Sequence, residues 1–262
     1  MQIVKRDVPI PRQSSEQNRL LAALSPEIYE RLLPHLKLVP LPVGVVLHEP
    51  GDVQEFVYFP IDCVVSFIYV MKDGSTTEIA VVGREGLVGT SVVFRTGGGA
   101  PSRALVSSGG KGYRLSAKVL EDEFERGGEL QDLLLRFTQA RITQTAQTVV
   151  CNRHHTVEQQ LCRWLLLNLD RLPSRKLAMS QEMIANMLGV RRESVTEAAG
   201  HLQAAGMIQY SRGTITVLDR LQLEKKVCEC YAVVKKEYDR LLPEEPRHSA
   251  RLRPARLYPA AA

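Results

Sequence analysis

Between residues 39 and 116 apolar and polar positions alternate in short runs. VGVVLHE, FVYF, VVSFIYV, TTEIAVV, ALVSS and KGYRL are rich in β-branched and aromatic residues. Turn-forming clusters separate them: EPGD at 49–52, KDG at 72–74 and GGG at 97–99. A period of two, broken by turns about every 8–12 residues, predicts an antiparallel sandwich or barrel. Upstream, residues 15–33 read as two short helices, the second opened by Ser25 as a hydroxyl cap and Pro26 at its first position.

The period then changes to that of a helix. Residues 129–154 hold no Gly or Pro, and Leu130, Leu133, Leu134, Phe137 and Ala140 form a stripe that fades into Gln144, Thr148 and Cys151. At 1.5 Å per residue such a helix reaches about 39 Å. Its apolar face needs cover, from its own barrel or from a second copy of the chain, and the two can serve different faces. Residues 156–172 continue as an amphipathic helix carrying Leu161, Trp164, Leu165 and Leu167. A hairpin follows, 207–210 and 214–217 around Ser211-Arg212-Gly213, with Gly able to take the left-handed position. A last helix over 221–242 carries Leu223, Val227, Tyr231, Val234, Tyr238 and Leu241. The expected domains are therefore 15–128, rich in sheet; 129–155, the long helix; and 156–242, helices with a hairpin. Residues 1–14 and the Pro-, Ala- and Arg-rich residues 243–262 are expected to be disordered.

Charge divides along the same line. The chain has 262 residues and a net charge of +5. Residues 1–155 hold 17 basic and 17 acidic side chains, and residues 156–262 hold the other 17 basic but only 12 acidic. A basic half beside a neutral one points to nucleic acid as partner of the former. The longest near-continuous apolar run, 63–71, is too short to span a bilayer. No apolar segment follows Lys5 and Arg6, so no secretory signal is expected. Five scattered cysteines make no disulfide framework. A cytoplasmic protein without membrane association is the expectation.

The chemistry concentrates in SQEMIANMLGVRRESVTEAAGHLQ, residues 180–203. Ser180 suits an N-cap, and Ile184, Met187 and Leu188 face inward. Gly189 ends the first helix. In the second helix Val195, Ala199 and Leu202 recur at i, i+4 and i+7, leaving Arg192, Glu193, Thr196, Glu197 and Gly200 on the other face. A helix that presents polar residues near its N-terminus is what a helix-turn-helix places in the major groove of double-stranded DNA. A guanidinium pairs with guanine O6 and N7, and a carboxylate accepts from cytosine N4. That makes Arg192 and Glu193 candidate base readers. Arg191, Ser194, Thr196 and Arg212 are candidate phosphate contacts, aided by the helix's amides.

These residues bring a resemblance into view. VVLHEPGDVQEFVYF, DGSTTEIAVVGREGLVG, the long helix and SQEMIANMLGVRRESVTEAAGHLQAAGMI with its hairpin resemble the Crp/Fnr family of bacterial transcription regulators over about residues 20–218. The resemblance implies an α+β fold: an antiparallel β-roll (a double-stranded β-helix, cyclic-nucleotide-binding-like), a dimerisation helix and a C-terminal winged helix-turn-helix. It also implies a homodimer on a near-palindromic operator, with RNA polymerase as a further partner. Two departures limit the carry-over. Where the family's recognition helix presents Arg, then Glu, then Arg a turn later, this chain has Arg192, Glu193 and Glu197, so the operator sequence does not transfer whole. The effector segment lacks the Gly-Glu-Leu that binds a ribose hydroxyl, Glu85 lying too early, and Ser102-Arg103 reverses the Arg-Ser order that meets a cyclic phosphate. Arg84, Ser102 and Arg103 are the candidate ligand residues. Cyclic AMP is not the expected effector; another nucleotide, another small molecule or none remain open. No cofactor is expected, and with no cysteine before Cys63 an N-terminal iron–sulfur cluster is not expected either.

Other combinations read as structural. Gly109-Gly110-Lys111-Gly112 lacks the spacing of a phosphate loop and reads as a turn. Cys151 and His155 share a helix face but supply too few ligands for zinc. Cys228 and Cys230, two apart in one helix, face different directions. No metal site and no catalytic arrangement are expected. The alternative reading is a small-ligand-binding or enzymatic β-barrel whose terminal helices do not bind DNA sequence-specifically.

Overall fold

The computed structural model describes residues 18–94 and 99–242, so the two expected disordered ends and most of the 97–99 turn lie outside the described residues. Helices α1 (Arg19–Ala22) and α2 (Pro26–Leu32) come first. Asn18 starts α1 and ties it to the sheets. Its side-chain oxygen accepts from the Leu20 and Leu21 amides, and its Nδ2 donates to the carbonyls of Pro60 at 2.8 Å and Gly86 at 2.9 Å. A fully buried amide is tolerated when its donors and acceptor are satisfied in this way. The hydroxyl cap expected at Ser25 is not made. Pro26 holds the first helical position, but it is the Ser25 backbone N–H that bonds, to Glu129 Oε1 at 3.1 Å.

Seven strands form two antiparallel sheets. One has the order β1 (Lys37–Leu41), β7 (Gly110–Ser116), β3 (Phe56–Pro60). The other runs β2 (Val46–His48), β6 (Arg103–Ser108), β4 (Val64–Val70), β5 (Thr76–Val82). Phe59 pairs with Tyr113 and Phe67 with Ala80, and all four are buried in one core between the sheets. This is the expected β-roll. Helix α3 (Ala117–Glu125) leads into α4 (Glu129–His154).

Helix α4 divides its apolar residues between two faces. Leu130, Leu133, Leu134, Phe137 and Ala140 are buried within the chain, together with Gln144, Thr148 and Cys151. The stripe read from the sequence therefore packs on the chain's own elements. A second row, Leu135, Ile142 and Val149, is 47%, 58% and 65% exposed and repeats every seven residues.

Thr156 begins α5 (Val157–Leu169) with a reciprocal capping box to Gln159. Strand β8 (Lys176–Ala178), α6 (Gln181–Leu188), α7 (Arg192–Ala204) and the hairpin β9 (Ile208–Ser211)–β10 (Thr214–Val217) follow, the strands ordered β8-β10-β9. The last predicted helix is two: α8 (Arg220–Lys226) and α9 (Glu229–Leu241). Val227 and Cys228 between them are extended, with ψ of 153° and 164°. No Gly or Pro marks the break. Cys228 is thus the cap of α9 rather than part of a helix shared with Cys230, and the divergence expected of the two thiols does not occur.

Candidate nucleic-acid interface

Local sequence sets the reading helix at a fixed angle. Ser180 Oγ accepts from the Met183 amide at 3.2 Å and starts α6. Gly189 ends it in the left-handed region at φ 67°, where a side chain is strained. Arg191 caps α7 in extended conformation and contributes no side-chain bond to its first turn. The first amides of α7 are therefore not satisfied by a cap and, at the positive end of a 13-residue helix, suit a phosphate. The opening arginines are unfavourable for the isolated helix and sensible for one that meets an anion.

Val195, Ala198, Ala199 and Leu202 are buried behind α7, and Arg191, Arg192, Glu193, Thr196 and Glu197 are exposed. Glu197 is exposed at the rim of the cleft between α7 and α5, so the departure from the family's Arg is at a surface position. Two expected phosphate contacts sit differently. Thr196 Oγ1 lies 2.8 Å from Gln181 Oε1 and 3.0 Å from the Arg192 carbonyl, both acceptors, so its one proton is engaged within the protein. It braces α7 against α6 and positions Gln181, a residue that sequence reasoning passed over. Ser194 is half-buried and lines a cleft with Thr156, Glu158, His201 and Lys226, facing α5 and not outward. In that cleft Glu158 bonds His201 at 3.0 Å and Lys226 at 2.8 Å, holding α7 and α8 to α5. The Lys226 ammonium keeps the Glu158 carboxyl below its usual range. Arg212 is exposed at the tip of the β9–β10 hairpin.

The candidate ligand residues are not gathered. Arg84 is exposed beside the turn after β5 and lines a cavity with Arg171, Arg220 and Tyr238. Ser102 is buried before β6. Arg103 Nε pairs with Glu49 at 2.8 Å. Glu85 is committed to a buried ion pair with Arg171 at 2.7 Å, which ties the β-roll to the end of α5. The arginine that enters the β-roll comes instead from α4. The Arg141 guanidinium lies 4.0 Å from the Phe67 ring centroid and donates to Thr90 Oγ1 at 2.9 Å. Beside it His48 is buried, and that burial lowers the imidazole's pKa. Sequence reasoning missed Arg141 because a cation within a long helix reads as surface.

Residues 159–226 match the family model of the Crp-like helix-turn-helix domain. Over 223 residues the chain is 25% identical to the global nitrogen regulator of Synechocystis sp. (strain ATCC 27184 / PCC 6803 / Kazusa), covering 82% of this chain and 98% of that protein. The chain is a transcription regulator of the Crp/Fnr type. Solved structures share the fold of this Crp/Fnr-type regulator. FixK2 from Bradyrhizobium japonicum is 16% identical with a TM-score of 0.60, covering 74% of this chain and 98% of that one. The c-di-GMP-responsive global regulator CLP of Xanthomonas campestris is 20% identical with a TM-score of 0.57, covering 74% and 100%. Among the described residues no helix of the regulator is long and apolar enough to cross a membrane.

Proposed function

We propose that the chain works in the cytoplasm as a homodimer on a near-palindromic operator. Arg192 and Glu193 read bases, and Arg191, Arg212 and the first amides of α7 hold phosphates. Glu197 shifts the preferred half-site away from the one the family's second arginine would select. Half-sites would lie about 34 Å apart, roughly 10 bp centre to centre. RNA polymerase is the partner through which binding acts on transcription. The β-roll serves as a sensory domain, and the early Glu85 and reversed Ser102-Arg103 argue against cyclic AMP as the signal. Arg141 and His48, both beside Phe67 in the β-roll, are where the search for another small effector would start.

The observation that carries this reading is the partition of α7: Arg192 and Glu193 exposed at its N-terminus, with Val195, Ala199 and Leu202 buried opposite. Selection from randomised DNA followed by gel shift tests it. Arg192→Ala should lose about 1–3 kcal/mol on the selected operator and little on random DNA. Equal losses on both would reassign Arg192 to the backbone, and failure to select any operator would end the proposal.

A further inference from the structure

The C-terminal end of α4 and the break between α8 and α9 bring four donor groups together. Helices α4 and α9 run antiparallel, since Tyr238 Oη meets the Gln144 side-chain amide at 2.9 Å while Cys228 Sγ lies 3.6 Å from Cys151 Sγ. One turn beyond Cys151, His155 leaves the helix and turns Nδ1 toward Cys230 Sγ, 3.6 Å away. The donor atoms of Cys151, His155, Cys228 and Cys230 all lie within 4.8 Å of one another. The three cysteines are buried and unbridged.

These dimensions suit a coordination tetrahedron. Zinc bonds of about 2.3 Å to sulfur and about 2.0–2.1 Å to nitrogen give edges of about 3.8 Å between sulfurs and about 3.5 Å from sulfur to nitrogen. The outer contacts fit as well. His155 Nε2 lies 3.3 Å from Glu229 Oε2. A carboxylate there accepts a hydrogen bond from Nε2–H and leaves the Nδ1 lone pair aimed at the thiols, the arrangement that commonly orients a metal-bound histidine. Three thiolates, one imidazole and a divalent ion carry a net charge of about −1. Buried Arg163, whose Nη1 donates to Thr148 Oγ1 at 3.2 Å and which acts electrostatically on Cys151, lies near enough to offset it. So does the positive end of α9, where Cys228 and Cys230 sit.

We infer that Cys151, His155, Cys228 and Cys230 form a closed structural zinc site that fastens α9 to the end of α4. Soft thiolates in tetrahedral array favour zinc over magnesium or calcium, and four protein ligands leave no position for a substrate. Loading the site releases the protons of up to three thiols and involves no redox step. The fastened point lies where the long helix gives way to the DNA-binding domain, so the metal would set the stiffness of that junction.

The test uses the full-length chain purified under reducing conditions without chelator. Elemental analysis should find about one zinc per chain. After chelation, added cobalt(II) should give a thiolate charge-transfer band and the intense visible bands of a tetrahedral ion. Cys228→Ser with Cys230→Ser should abolish both signals, and Cys63→Ser should keep them. Should the double variant fail to fold, the wild-type zinc content and cobalt spectrum decide the matter. Folded wild-type protein without zinc and without a thiolate–cobalt band overturns the site. So does a mass showing a Cys151–Cys228 disulfide in the freshly reduced chain, or zinc retained at full stoichiometry in the double variant.

Discussion

Arg212 occupies a backbone conformation that favours glycine or asparagine. Its φ is 50°, and Gly213 follows at 73°, with Ser211 paired to Thr214 across the loop. Two successive positive φ angles make the two-residue hairpin turn for which Asn-Gly is the preferred sequence. An arginine there costs on the order of 1 kcal/mol. The cost is intelligible if the exposed charge at the hairpin tip is used. Arg212→Asn should keep the turn, hold or slightly raise the melting temperature, and lower the salt slope of DNA binding by about one. Titrations on operator and random DNA over a salt series would measure it. An unchanged slope would remove Arg212 from the phosphate contacts. The hairpin itself was legible in the sequence through Gly213, but the left-handed Arg212 was not, because no residue-type preference announces it.

Between elements, the seam of β-roll and α5 carries a titration. Glu78 on β5 is buried and accepts from Trp164 Nε1 of α5 at 3.0 Å. Burial raises the Glu78 carboxyl from an ordinary 4.5 to about 7. Between those values the folded chain holds a proton that the unfolded chain has lost. Stability therefore falls as pH rises through that window and stays lower above it. A displacement of this size corresponds to about 3 kcal/mol. Glu78→Gln mimics the protonated form, so it should stabilise the protein at pH 8 and change little near pH 4.5. Chemical denaturation at the two pH values checks the difference, and equal effects at both would mean that Glu78 is ionised in the fold. Elements set by neighbouring residues were readable: the α6–α7 pair from Ser180, Gly189 and the spacing of Val195, Ala199 and Leu202, and the strands from their alternation. What depends on distant contacts was hidden. The α8–α9 break carries no breaker residue. The convergence of Cys151 and His155 with Cys228 and Cys230 joins segments more than 70 residues apart. The direction of Arg103 in β6 turns on a register that a one-residue shift would reverse.

For the whole molecule, the question is what covers the outer face of α4. Its inner stripe is already spent against the chain's own core and α9. Leu135, Ile142 and Val149 remain outside, seven residues apart over two helical repeats. A row at every seventh residue supplies one of the two core positions of a coiled-coil heptad, where an apolar residue fits between residues of a facing copy. The proposed homodimer would set a second α4 against this row and bring two α7 helices into one assembly. The turn before each reading helix also touches its own β-roll, since a Cβ at Gly189 would come 2.8 Å from Thr77 Oγ1. A change of angle between paired α4 helices would therefore be felt at the reading heads through a packed contact as well as through the chain. Ile142→Glu places a charge in the proposed seam while touching nothing buried in the monomer, so folding stability of one chain should change by no more than about 0.5 kcal/mol. Sedimentation should show the wild type as a dimer and the variant as a monomer. The variant should lose most of its affinity for a two-half-site operator, since its two contacts are no longer linked, while binding a single half-site as the wild type does. A dimer that survives Ile142→Glu with full operator affinity would place the subunit interface on another face.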